Sequence, residues 1–143
     1  MTVLDFEVVK TAVLEAGFEV FRAKGDTIQL AERVRSHLMD AHVAVRIADA
    51  ATISFIVRSQ RSDFPGDDSE ELFARVRRAV ADKARQNGFE ESAAASRAIN
   101  DPVDDGRVLD VWHELTFSKS TQDLKQLVAD LQCALDMPKC VDG

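Results

Sequence analysis

Two apolar alternations stand back to back in the middle of the chain, and they constrain the fold more than any other feature. In "HVAVRIA", Val43, Val45 and Ile47 fall on one side of an extended strand; in "ATISFIVRS", Ile53, Phe55 and Val57 do the same. Successive strand side chains point to opposite faces, so each run has one apolar and one mixed face. The short linker "DAA" leaves room only for a tight reversal, which predicts an antiparallel hairpin.

Other segments attach to this hairpin. "DFEVVKTAVLEA" predicts a helix over Asp5–Ala16, with Val9, Ala12, Val13 and Ala16 at helical spacing and Gly17 as its stop. "FEVFRA" reads as a short strand. In "DTIQLAERVRSHLMDA", Asp26 and Gln29 have capping-box spacing, and Ile28, Ala31, Val34, Leu38 and Ala41 follow a helical period, so a helix from about Thr27 is expected. A hairpin around Gly25 is the other reading.

After "DFPG", Asp68 or Ser69 caps a helix whose stripe is Leu72, Phe73, Val76, Ala79, Val80 and Ala84, ended by Asn87–Gly88. "ESAAASRAI" is a weak strand, because alanine is a poor strand former. "RVLDVWHELTF" is a strong one, with Leu109, Val111, Leu115 and Phe117 on one face. Ser118 or Ser120 then caps a last helix bearing Leu124, Leu127, Val128, Leu131 and Leu135.

The expected fold is α+β: a two-layer sandwich with an antiparallel sheet of four to five strands, helices packed on one face, and a hairpin–helix unit used twice. At 143 residues with 6 glycines and 3 prolines, nothing reads as a linker, so residues 1–143 are expected to form a single domain.

The second face of that sheet combines Ala44, Arg46, Thr52, Ser54, Ile56, Arg58, Asp110, Trp112, Glu114 and Thr116. The only tryptophan and Ile56 among charges form a pattern typical of interface cores. Trp112, Ile56, Arg46, Arg58 and Glu114 are the candidate partner-binding residues, for another protein or for a second copy in a homodimer. The other reading is that a loop or terminus of the same chain covers Trp112.

Arg58, Arg61, Arg75 and Arg78 form an alternative ligand site, a clamp for a small anion built from planar forked donors. Glu71, four residues before Arg75, offers the opposing reading of a solvated helix face. His113 lies between Val111 and Leu115 without a visible nucleophile and is read as a structurally satisfied histidine. His37 and His42, five apart, lack metal-pair spacing. The acidic runs Asp63, Asp67, Asp68, Glu70 and Asp101, Asp104, Asp105 lack EF-hand spacing and read as turns. No metal or other cofactor and no catalytic motif is called, and the chain is read as a non-enzyme.

The formal charge of −7, from 25 acidic and 18 basic residues, argues against nucleic acid as a partner. No apolar run is long enough for a membrane span, and neither a signal peptide nor a disulfide framework is apparent: Cys133 and Cys140 read as free thiols. A cytoplasmic protein is expected.

Taken in order, "DFEVVKTAVLEA", "FEVFRA", "HVAVRIADAATISFIVRS", "SEELFARVRRAVADKA", "ESAAASRAI", "RVLDVWHELTF" and "STQDLKQLVADLQCAL" resemble the helix–strand–strand–strand–helix–strand–strand–helix plan of the type III secretion chaperone-like fold. Length and acidity are similar too, and a helix within "IQLAERVRSHLMDA" is an addition to that plan. The resemblance rests on element order and supplies no residue motif. It implies a small homodimer that binds extended segments of another protein.

Overall fold

The structure, a computed structural model, describes residues 4–63, 69–104 and 106–137. Phe64–Pro65–Gly66, Asp67, Asp68, Asp105 and Cys140, all used in the sequence reading, lie outside the described residues. The chain runs α1 (Phe6–Glu15), β1 (Glu19–Lys24), β2 (Thr27–Val34), β3 (His37–Ile47), β4 (Ala51–Gln60), a short 3-10 turn (Arg61–Asp63), α2 (Ser69–Gln86), β5 (Glu90–Asn100), β6 (Val108–Thr121) and α3 (Leu124–Asp136). The fold is α+β, with an open antiparallel sheet of six strands in the order β1-β2-β3-β4-β6-β5. The four to five strands expected from sequence were too few.

The missing strand comes from the segment read as a helix. Thr27–Val34 is β2, and His37 begins β3. Gly25, at φ 64°, takes the reversal between β1 and β2 that the hairpin reading required. Asp26 is therefore not a helix cap: its carboxylate accepts hydrogen bonds from the Thr27 hydroxyl (2.9 Å) and from Arg46 Nε (3.2 Å). The helical stripe also dissolves on inspection of burial. Ile28 and Leu30, two apart, are fully buried, whereas Val34 and Leu38 are exposed. Strand pairing on both sides of β2 outweighs the helix propensity of "LAERVRSHLM".

Two irregularities mark this meander. Phe21 is the extra residue where the β1–β2 register shifts between Val20 and Arg22. In β3 the register shifts opposite Leu30; there His42 is left-handed at φ 58°, and its backbone N–H donates to Asp40 Oδ1 at 2.8 Å. The β2–β3 reversal uses Arg35 (φ 52°) and Ser36 (φ 73°), both left-handed without being glycine.

Chain contacts group into two compact units, Met1–Phe55 with Ser118–Gly143, and Ile56–Phe117. In the first, Asp5 rather than a residue of the helix itself caps α1, its Oδ1 accepting from Val8 N–H at 2.8 Å. Val9 and Val13 are buried on that helix, and Leu127, Leu131 and Ala134 on α3, which contacts both α1 and β3. Val43, Val45, Ile53 and Phe55 complete this core, as the alternation predicts. The cap of α3 is Asp123, which accepts from the N–H groups of Lys125 and Gln126. Neither Ser118 nor Ser120 serves, because β6 continues through Thr121.

In the second unit, Val57, Val80, Ala84, Phe89, Leu115 and Phe117 are buried. α2 stops where expected: Gly88 is left-handed at φ 85°, and Phe89 N–H closes on Ala84 O at 2.9 Å. Leu109, expected in the core, is half exposed, because the apolar face of β6 becomes buried only from Leu115 onward. Among the described residues no helix is long and apolar enough to cross a membrane.

Candidate functional site

β6 presents consecutive side chains to opposite sides, and this separates Trp112 from His113. His113 stacks on Phe73 of α2, ring centroids 3.9 Å apart at 19°. Its Nδ1 lies 2.8 Å from Ser96 Oγ on β5. The His113 ring thus has an aromatic neighbour and a hydrogen-bond partner.

Trp112 has a different environment. The guanidinium carbon of Arg97, from β5, lies 5.3 Å from the centre of the indole ring, within cation–π range. Next along β6 on the same side, Glu114 Oε1 meets Arg58 Nε of β4 at 3.1 Å. These four side chains belong to three strands of one compact unit and form a row of aromatic and charged groups.

Two shallow hollows adjoin the row. One, of about 160 Å³, is lined by Ala95, Ser96, Arg97, Trp112 and Glu114. The other, of about 200 Å³, is lined by Arg58, Ser59, Gln60, Trp112, His113 and Glu114. Trp112 and Glu114 are common to both. Each hollow is smaller than the roughly 300–1,000 Å³ of a typical small-molecule site. Their volumes suit single side chains of a partner better than a whole ligand.

The sequence-predicted partner residues separate accordingly. Trp112, Arg58 and Glu114 come together. Ile56 is half-buried on β4, two residues before Arg58 on the same side of the strand. Arg46 belongs to the other compact unit, where Asp26 engages it at 3.2 Å. Thr27 and Arg46 together hold the Asp26 carboxyl below its ordinary value.

The four arginines of the anion-clamp reading have different surroundings. Arg58 is tied to Glu114, and Arg75 to Glu71 at 3.1 Å one helical turn away. Arg61 adds a favourable charge to Asp110. Arg78 is exposed on α2. Asp110 is also bonded by Ser62, whose hydroxyl and N–H donate at 2.7 and 3.1 Å. The Ser62 bond is the main cause holding the Asp110 carboxyl below its ordinary value. Arg77 makes a two-pronged bond to Glu91 at 3.1 and 3.0 Å, which raises the guanidinium further above its already high value.

Arg97 and Ser96 were absent from the sequence reading. The signal was present in "ESAAASRAI", but a weak strand without an assigned neighbour gave no face to either residue. Pairing β5 with β6 supplies it. No group of three His, Cys, Asp or Glu residues that could hold a metal occurs among the described residues. Comparison with known proteins finds no family model, no curated protein and no solved structure that matches the chain.

Proposed function

We propose that this chain is a non-catalytic protein-binding module, a chaperone-like homodimer that holds extended segments of another protein against the Trp112 row. The observation that carries the reading is the Arg97–Trp112 contact at 5.3 Å, set between two hollows of side-chain size. Tryptophan and arginine dominate binding energy where proteins meet, and both sit here partly open to solvent. The element order adds support. It keeps the helix, strands, helix, hairpin, helix plan of the type III secretion chaperone-like fold, with one strand more, and we propose the same placement of helices on one sheet face. Small hollows and arginines already facing carboxylates favour this reading over an anion clamp.

The test uses an alkylated, permanently unfolded protein as the probe. Trp112 is the sole tryptophan, so its emission reports occupancy if the probe contains none. Binding with a shift in emission, weakened at least about tenfold in Trp112→Ala, is the expected result; a loss of about 1.4 kcal/mol corresponds to that factor. No binding, or equal binding by the variant, would remove this reading.

A further inference from the structure

The arginines around the Trp112 row are not equivalent. Arg58 faces Glu114 at 3.1 Å, and Arg77 holds Glu91 of β5 at 3.1 and 3.0 Å. Arg97 is paired with no carboxylate among the described residues. Its side chain is exposed, with the guanidinium carbon 5.3 Å from the centre of the Trp112 ring. A ring face attracts the cation but supplies no acceptor oxygen, so the N–H donors of Arg97 still call for one.

Arg97 also lines the hollow of about 160 Å³, together with Ala95, Trp112 and Glu114. β5 ends the strand order, and its side chains from Glu90 to Ala98 are exposed. A segment of another chain therefore reaches this hollow without displacing a strand. The indole offers it an apolar wall, and the guanidinium beside it offers a positive charge.

The sign of that charge selects the occupant. Glu114 borders the same hollow, but its carboxylate is engaged by Arg58. The uncompensated charge is thus positive, although the chain as a whole carries −7. A polyanion would bring many negative charges towards an acidic chain, whereas one carboxylate needs only Arg97. Carboxylate and guanidinium form a charge-assisted pair, about twice as strong as a neutral hydrogen bond. In an extended segment, residues two apart point to the same side. A carboxylate on Arg97 and a large apolar side chain in the hollow then stand two positions apart.

We infer that Arg97 selects acidic segments: the bound chain is an extended stretch of another protein in which an aspartate or glutamate meets Arg97 and a large apolar residue two positions away fills the hollow beside Trp112. This rests on the protein-binding reading above and adds the chemistry of the bound segment.

Three short peptides without tryptophan, capped at both ends, test it. They carry Glu, Gln or Lys at one position and Phe two positions on, and Trp112 emission follows their binding. On the wild-type chain the Glu peptide is expected to bind at least about tenfold tighter than the Gln peptide, with the Lys peptide weakest. Arg97→Gln is expected to level Glu and Gln, and Arg97→Glu to favour Lys. Equal binding of Glu and Gln by the wild-type chain, tightest binding of Lys, or no peptide binding would overturn the inference. So would a Glu preference that survives Arg97→Gln, or an emission change with the chain's own concentration, which assigns the row to a second copy.

Circular dichroism checks that the variants fold, and the three peptides decide on the wild-type chain alone should either fail. The unfolded-protein probe separates the two claims. Binding of that probe through Trp112, with no peptide preference, fails the acidic selection alone. A Glu preference set by Arg97 in a chain that ignores the unfolded protein fails the chaperone-like reading alone.

Discussion

Lys119 Nζ lies 2.8 Å from Asp130 Oδ1, and Asp130 is the only charged residue in the buried set, at 4% exposure among the described residues. Gln126 Nε2 donates to the same oxygen at 2.9 Å. The pair ties the end of β6 to α3 within one compact unit. A buried carboxylate is costly unless its charge is matched. Lys119→Ala is expected to destabilise the chain by about 3 kcal/mol, since it leaves the charge of Asp130 in place. Replacing both residues together, with Lys119→Met and Asp130→Leu, is expected to cost clearly less than the single change. Urea denaturation of the three variants measures the difference.

The Arg97–Trp112 contact gives a second expectation. A cation over a partly exposed ring is worth about 0.5–1 kcal/mol, so Arg97→Ala should lower stability only slightly. Its main effect should be optical. With the sole tryptophan losing its cover, the emission maximum should move to the red and quenching by iodide should increase.

Asp110 gives a pH expectation. Its carboxyl is held below the ordinary value chiefly by the Ser62 hydrogen bond, helped by the backbone N–H groups of Val111 and Ser62 and by Arg61. A depressed folded-state value stabilises the fold above the unfolded-state value, and that contribution is lost as pH falls through the folded-state value. Ser62→Ala should therefore raise the Asp110 titration midpoint and reduce the loss of stability on acidification. NMR titration of the Asp110 side chain, with urea midpoints at several acidic pH values, checks both.

The β2–β3 reversal is conformationally expensive. Arg35 and Ser36 both occupy left-handed backbone, which asparagine and glycine adopt at lower cost. Arg35→Asn with Ser36→Gly is expected to stabilise by about 1 kcal/mol, a rise of roughly 3 °C in thermal midpoint for a chain of this size. A fall in midpoint would count against a tight two-residue reversal there.

The same reversal shows why part of the fold was illegible in the sequence. Val43, Val45, Ile53 and Phe55 announced their strands because period two and burial coincide. Thr27–Leu38 did not, because its hydrophobic spacing fits a helical period and its turn uses Arg–Ser in place of the usual Asn–Gly. Only the pairing partners β1 and β3 decide the matter, and pairing is not local. The candidate site divides in the same way. Trp112, Arg58 and Glu114 could be placed by alternation along β4 and β6. Arg97 could not, since its role depends on β5 lying beside β6, and "ESAAASRAI" gives little sign of either.

The bulge at Phe21 has a consequence for number. A sheet receptive at both ends is a monomer unit of a fibre, because each added copy presents a fresh end. Here Glu19, joined to Arg33 at 2.7 Å, and the charges beside it make β1 a poor acceptor at the far end of the strand order. A sheet guarded in this way at one end offers no route to an open-ended stack of its own strands, and a rise in protein concentration is not expected to lengthen chains through β1.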